Sequence, residues 1–134
     1  MKYFNQLKEA MLEEDFYETN DVIGKIKREE NGLEYISAIF GIMEKNPNVD
    51  YGIPGPIVHF METYYKKGYE DLLLQSVINI PTSHTVWMLN RVMNDPTLVE
   101  KSKYLKVLKN SLSRDDIPKS VKEEIKEFIE YQEN

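Results

Sequence analysis

Residues 55–94 read GPIVHFMETYYKKGYEDLLLQSVINIPTSHTVWMLNRVMN and contain three apolar stripes at helical spacing. Pro56 suits the first position of a helix, where its missing N–H is not needed, and Gly68 suits the end of that helix. A second stripe begins at Tyr69 and ends before Pro81, which cannot continue a helix. This stretch therefore predicts three consecutive short helices, with a very short connection between the second and the third.

The N-terminal flank of this stretch predicts three more helices. Apolar residues recur at intervals of three and four in a first helix that ends near Glu14. Thr19 or Asn20 can cap a second helix, and a third is expected over residues 33–45. Residues 46–56 are rich in proline and glycine, so they predict the one extended loop of the chain.

Two helices are also predicted after the stretch. The seventh helix follows the turn at residues 94–97, and Pro118 opens the eighth. Amphipathic helices joined by tight turns bury their stripes against neighbouring helices, and no alternation typical of strands is found. The sequence therefore predicts an all-α fold of about eight short helices in stacked antiparallel pairs. We expect a HEAT-like array in a single domain over residues 1–134, without a strict sequence period.

Composition limits the environment of the protein. A chain of 134 residues is long enough to bury one core without covalent staples. The absence of cysteine excludes disulfides and thiolate metal sites, and it fits a reducing cytosol. No apolar run approaches the length of a membrane span, and the first residues lack the apolar region of a secretion signal. We therefore predict a cytoplasmic protein with no membrane association.

The net charge of −6 is distributed unevenly along the chain. Residues 1–50 contain 6 Lys/Arg against 11 Asp/Glu, whereas residues 101–134 contain 8 against 7. Nucleic acids attract Lys and Arg through counterion release, so the acidic N-terminal part has the wrong sign for DNA or RNA. It has the right sign for a basic protein partner.

The residues that could support catalysis do not form a recognised motif. His59 and Glu62 stand three residues apart on a predicted helix, where they could form an acid–base pair or contribute to a metal site. Neither His59 nor His84 has a second histidine four residues away, so a hydrogen-bonded structural role is favoured for both. Phosphate-binding loops and nucleophile elbows are also missing from the sequence. We therefore predict no catalytic residues, no metal and no cofactor.

Two groups of side chains are candidates for binding a partner. One is an acidic cluster around the turn between the first two helices, which lacks the order of a calcium-binding loop. It is either a solvated face or a negatively charged docking patch. The other is a group of tyrosines that could anchor an interface, although packing in the helix core is the favoured role for most of them. The two groups are Glu13, Glu14, Asp15, Glu18 and Asp21, and Tyr64, Tyr65 and Tyr69.

Residues 81–91 form a candidate structural motif, in which Thr82 or Ser83 is expected to cap the sixth helix. Trp87, the only tryptophan, is expected to fill the core between helix pairs. Arg91 follows it by four residues and can therefore cover the indole ring. A structural role, and not a role in partner binding, is assigned to Pro81, Thr82, Thr85, Trp87, Asn90 and Arg91.

Three segments together resemble a known family. They are the run Gly55–Glu62, the Gly-Tyr-Glu of residues 68–70, and the Pro-Thr-x-x-Thr-Val-Trp-Met-Leu-Asn-Arg of residues 81–91. Residues 55–94 resemble the small all-helical immunity proteins of bacterial polymorphic-toxin and contact-dependent growth inhibition systems. The resemblance implies a non-catalytic inhibitor that binds its cognate toxin C-terminal domain, and the acidity of the chain suits a basic toxin such as a nuclease.

Two other functions remain open at this point. One is a helical-repeat adaptor that binds another cytoplasmic protein, which requires the same fold and the same lack of catalytic motifs. The other is a small enzyme that uses His59, Glu62 or His84.

Overall fold

The computed structural model describes residues 1–134, and all of their regular secondary structure is helical. The eight helices are α1 (Phe4–Leu12), α2 (Phe16–Glu29), α3 (Leu33–Lys45), α4 (Pro56–Glu62), α5 (Tyr69–Asn79), α6 (Ser83–Met93), α7 (Lys101–Ser111) and α8 (Lys119–Glu133). They pack in contacting pairs, so the all-α prediction with about eight helices is confirmed. None of the helices combines the length and the apolar composition that crossing a membrane requires.

The chain forms two compact units, which we name unit 1 (Met1–Leu72) and unit 2 (Leu73–Asn134). The arrangement of one domain over residues 1–134 and the HEAT-like likeness stay predictions. In unit 1, α1 packs on α2 and α3, and α2 also packs on α4. The core of unit 1 is formed by the apolar stripes of these helices, including Leu7, Val22, Ile26, Ile36, Ile39, Met43, Val58 and Phe60.

The start of α2 differs from the sequence prediction. The cap is Asp15, whose carboxylate accepts a hydrogen bond from the backbone N–H of Glu18 at 2.9 Å. Thr19, one of the two predicted caps, is buried inside the helix, and its hydroxyl donates to the carbonyl of Asp15 at 2.7 Å. The prediction was therefore wrong by one turn, because it treated Asp15 only as a break in the first helix.

The end of α4 also differs from the prediction, which extended this helix to Gly68. The helix ends at Glu62, and the side-chain hydroxyl of Thr63 donates to the carbonyl of Phe60 at 2.6 Å. Backbone bonds of the i to i+3 type then replace helical ones, as from Tyr65 N–H to Glu62 C=O at 3.0 Å. The chain reaches α5 through Gly68, which has a φ of 118°.

A network of tyrosines and carboxylates fastens the first residues of the chain to the end of α2. Tyr3 donates its hydroxyl hydrogen to the carboxylate of Glu29, and Tyr35 donates to that of Glu30. The hydroxyl of Tyr35 also accepts the backbone N–H of Tyr3 at 3.1 Å. These bonds lower the pKa of Glu29 and of Glu30, and the bond to Glu29 raises the pKa of Tyr3.

In unit 2, α6 packs on α7 and α8, and α7 also packs on α8. Polar side chains link α6 to α8 at both ends. Ser83 donates to Glu124 at 2.7 Å, and the Gln132 amide donates to the side-chain oxygens of Asn90 and Asn94, each at 2.8 Å. The buried residues of unit 2 include Leu73, Val77, Val86, Met88, Leu89, Leu108, Val121 and Ile125.

Candidate functional site

The five predicted acidic residues lie close together in sequence and structure, around the turn between α1 and α2. Glu13, Glu14, Asp15 and Asp21 are exposed, and Glu18 is half-buried. Unit 1 contains 8 Lys/Arg against 14 Asp/Glu, and unit 2 contains 9 against 9. With both histidines neutral, unit 1 therefore has a charge of −6 and unit 2 a charge of zero.

Three members of this acidic cluster have structural roles that the sequence did not reveal. Asp15 caps α2, as described above. Glu14 accepts the backbone N–H of Asp50 at 3.2 Å, and Asp21 lies 3.6 Å from Lys25 in an ion pair on the surface of α2. Helix capping and loop attachment therefore use specific carboxylates of this cluster.

An open groove of about 620 Å³ lies beside this cluster, wholly within unit 1. We call it the α2–loop groove. Its walls are the first turns of α2, the loop at residues 50–55 and the start of α4. The lining residues are Phe16, Tyr17, Asn20, Asp50, Gly52, Ile53, Pro54, Gly55, Pro56 and His59.

The shape of the loop wall is set by one close backbone approach and two hydrogen bonds. Gly52 has a φ of 90°, and a Cβ atom there would lie 2.4 Å from the Cα atom of Gly55. The backbone N–H of Gly52 also donates to the Asp50 carboxylate at 2.8 Å. Tyr51 is buried and donates its hydroxyl hydrogen to the carbonyl of Asn46 at 2.7 Å, and burial raises the pKa of Tyr51 to about 12. The base of the loop is therefore anchored, and its tip at Ile53 points outward.

Large apolar side chains at the groove are exposed to solvent. The exposed fractions are 86% for Tyr17, 74% for Ile53 and 41% for Phe16. Single exposed apolar residues are common, but a group of them on one surface marks an interaction site. The sequence analysis missed all three residues. A signal was present at Tyr17, which lies on the polar face of α2 with Asn20 and Asp21, away from the buried stripe.

The three predicted tyrosines do not form one exposed anchor. Tyr69 is fully buried and stacks on Phe40, with 6.1 Å between ring centroids, so it belongs to the core. Tyr64 is half-buried and meets the edge of Phe60 at 5.8 Å. Tyr65 is also half-buried, with the Lys66 ammonium 5.7 Å from its ring centroid. The burial of Tyr69 corrects its assignment as a candidate contact residue.

The motif at residues 81–91 begins as predicted. Pro81 is buried ahead of α6, and Thr82 and Thr85 form a capping box in which each side chain bonds to the backbone N–H of the other. Of the two predicted caps, Thr82 is confirmed, and Ser83 is the first residue of the helix. Asn90 accepts a hydrogen bond from Gln132, as described above. Thr82 and Thr85 therefore fix the start of α6, and Asn90 links it to α8.

Trp87 departs from the prediction. It is only half-buried, because Val86, Leu89 and their neighbours on the same face of α6 fill the core. The indole lies on the adjacent face, 5.3 Å from the His84 ring centroid and 5.2 Å from the guanidinium carbon of Arg91. The expected contact between Arg91 and the indole is confirmed, but the assignment of Trp87 to the core was wrong.

The candidate acid–base residues both lie on α4. His59 is exposed at the α2–loop groove, and Glu62 is half-buried at the end of the helix. His84 belongs to α6 and lies beside Trp87. No set of three or more His, Asp or Glu side chains in residues 1–134 is arranged to hold a metal ion.

The chain was compared with known proteins in three ways. No family model, no curated protein and no solved structure matches it. The functional interpretation therefore depends on the geometry and charge of the groove, together with the resemblance of residues 55–94.

Proposed function

We propose that this chain is an immunity protein that binds a basic bacterial toxin domain in the cytoplasm and blocks it without catalysis. The resemblance of residues 55–94 suggests this class of protein. The observation that carries the proposal is the exposed apolar α2–loop groove beside the acidic cluster of unit 1.

This surface has the composition that a protein interface requires. Interfaces combine an apolar centre with a polar rim, and aromatic residues are enriched at the centre. Tyr17, Ile53 and Phe16 provide the apolar part, and Asp50 with Glu14 provides carboxylates at the same edge. A charge of −6 confined to unit 1 would also accelerate the approach of a basic partner.

Solubility alone gives a weaker account of this distribution. A protein that needs charge only to stay in solution gains nothing from placing all of its excess in one unit, beside exposed apolar side chains. Part of the acidity does have a local role, since Asp15 caps α2 and acidic residues in its first turn suit the helix dipole. That role does not account for Glu13, which lies before the cap of α2.

The test is binding to the toxin domain encoded beside the gene of this protein, measured by surface plasmon resonance at low and moderate salt. The informative variant, which we call the α2 variant, carries Glu13→Lys just before α2 and Glu18→Lys and Asp21→Lys on α2. It spares the cap at Asp15 and the loop contact of Glu14. Its matched control makes the same three charge reversals at exposed positions of α8: Glu123→Lys, Glu127→Lys and Glu130→Lys.

We expect the α2 variant to associate about tenfold or more slowly than wild type at low salt, and the α8 variant to stay within about threefold. Added salt should reduce the difference, because it screens exposed charges. Equal rates for the two variants would remove the acidic cluster from the interface.

Two further results would favour the adaptor or the enzyme over the immunity protein. Failure of the wild-type protein to bind or neutralise the toxin domain, combined with capture of a different cytoplasmic protein, would favour the adaptor. Loss of protection in a His59→Gln variant that still binds the toxin domain with unchanged affinity would favour an enzyme.

A further inference from the structure

We infer that the α2–loop groove takes an apolar side chain from the partner protein, on a segment in which Lys or Arg residues flank that side chain. The inference rests on the proposed function only for the identity of the protein that carries the segment. It assigns a role to Phe16, Tyr17, Ile53 and Pro54, which the sequence analysis left without one.

The apolar half of the inference comes from the walls of the groove. Tyr17 on α2 and Ile53 at the loop tip are both exposed, and Phe16 and Pro54 line the same groove. A side chain that enters the groove would therefore remove apolar surface from water on two sides. The groove is open and not enclosed, so it suits a side chain on a peptide segment better than a small molecule, which proteins usually surround.

The groove is also formed before any partner arrives. The contacts of Tyr51, Gly52 and Asp50 described above fix the loop, and Asp50 is attached through its backbone to Glu14 beside α2. Binding to a fixed loop avoids the entropic cost of ordering it. An exposed isoleucine on such a loop has no evident packing role within unit 1.

The charge of the groove supports the presence of Lys or Arg on the partner segment. The groove is lined by no Lys or Arg. None occurs in residues 9–24, which include the start of α2, or in residues 46–65, which include the loop and α4. Residues 9–24 contain six acids, and Asp50 lines the groove itself. A cationic side chain therefore meets no Lys or Arg in the groove, whereas an acidic peptide or a nucleic acid backbone would be repelled by the carboxylates.

The direct test is an NMR titration of the full chain with a synthetic probe, a pentapeptide in which Lys-Arg and Arg-Lys flank a central Trp. Two control peptides replace the Trp with Ala or replace the four basic residues with Asp and Glu. We expect chemical-shift changes at Tyr17, Ile53 and His59, and binding at least about tenfold weaker for each control peptide.

Protein variants locate the site. Tyr17→Ala and Ile53→Asp should each weaken binding of the basic Trp peptide at least about tenfold. Their matched controls in unit 2 are Tyr131→Ala and Val99→Asp, at residues with exposed fractions of 63% and 93%, and these should bind as wild type does. Because all four positions are exposed, we expect each variant to keep the amide spectrum of a folded protein.

Three results would overturn the inference: shift changes confined to other surfaces, equal binding of the Trp and Ala peptides, or unchanged binding by folded Tyr17→Ala and Ile53→Asp variants. The toxin domain separates this inference from the proposed function. Wild-type protein that takes the peptide at the groove but not the toxin domain would reject the function alone. Toxin binding that is unaffected by either groove variant would reject the inference alone.

Discussion

Unit 1 and unit 2 are built from the same kind of short helix, but their surfaces differ. Unit 1 has a charge of −6 and unit 2 a charge of zero. The large exposed apolar residues of unit 1 include three at one groove, whereas Ile78, Val99 and Tyr131 of unit 2 lie on α5, on the loop before α7 and on α8. Net acidity and a group of exposed apolar side chains therefore occur in the same unit, as the proposed binding surface requires.

The two units also use different polar contacts to hold their helices. In unit 1, tyrosine hydroxyls donate to the carboxylates of Glu29 and Glu30. In unit 2, Arg114 bonds to both carboxylate oxygens of Asp116, at 2.7 and 2.6 Å, and to the carbonyl of Ile78 at 2.8 Å.

The largest effect is expected in the core of unit 1. Phe60→Ala should lower the free energy of unfolding by about 3–5 kcal/mol, because the ring is fully buried and its loss leaves a cavity. Trp87→Ala in unit 2 removes a larger but half-buried side chain, so its cost should be smaller. Urea denaturation followed by circular dichroism measures both. A greater loss for Trp87→Ala would place the indole in the core after all.

The next effect concerns the loop wall of the groove. Gly52→Ala should lower the free energy of unfolding by about 1–3 kcal/mol, because the new Cβ would meet the backbone of Gly55 at a positive φ. Gly41→Ala is the control, since its Cβ would contact nothing within 4 Å on α3. That substitution should stabilise the protein by about 0.5–1 kcal/mol. Equal stability of the two variants would mean that the loop is not constrained at Gly52.

A third prediction separates the structural role of Asp15 from its charge. Asp15→Ala should cost about 1 kcal/mol, because the N–H of Glu18 loses its acceptor, whereas Asp15→Asn keeps a capping oxygen and should cost little. Thr82→Ala removes the corresponding cap of α6 in unit 2 and should cost a similar amount. Thermal or urea unfolding measures the free energy of unfolding of the three variants. If Asp15→Asn is as damaging as Asp15→Ala, the charge and not the cap stabilises this turn.

The smallest effect is expected on the stability of the fold at low pH. The ordinary pKa of Glu29 is 4.5, and the Tyr3 hydroxyl lowers it in the folded protein. The carboxylate therefore stabilises the fold above about pH 4.5, and this contribution is lost as pH falls through the lowered pKa. Tyr3→Phe should flatten the decline of stability below pH 4.5, and Tyr131→Phe, at an exposed residue of α8, should not. Urea denaturation at a series of pH values measures this. An equal decline in the free energy of unfolding of the two variants below pH 4.5 would contradict the prediction.

The sequence predicted the helices better than the sites. Apolar residues three and four apart place α3 at Leu33–Lys45 as expected, because helical periodicity needs only local information. The predicted start of α2 and the predicted end of α4 were less accurate. Each depends on a single side-chain hydrogen bond, made by Asp15 and Thr63, and other nearby polar residues could have formed a similar bond. Pro81 fixed where α6 could begin, which left Thr82 and Ser83 as possible caps, and the structure uses Thr82.

Local sequence patterns were enough to predict the all-helical class, the order of the helices and the concentration of acid in the N-terminal part. Which side chains reach the surface depended on tertiary packing. Tyr69 and Trp87 sit on similar apolar stripes, yet one is buried against Phe40 and the other is half-exposed beside Arg91. The groove likewise joins Tyr17 and Ile53, which are distant in sequence. Exposure depends on which neighbouring helix or loop covers a residue, and periodicity carries no information about that neighbour.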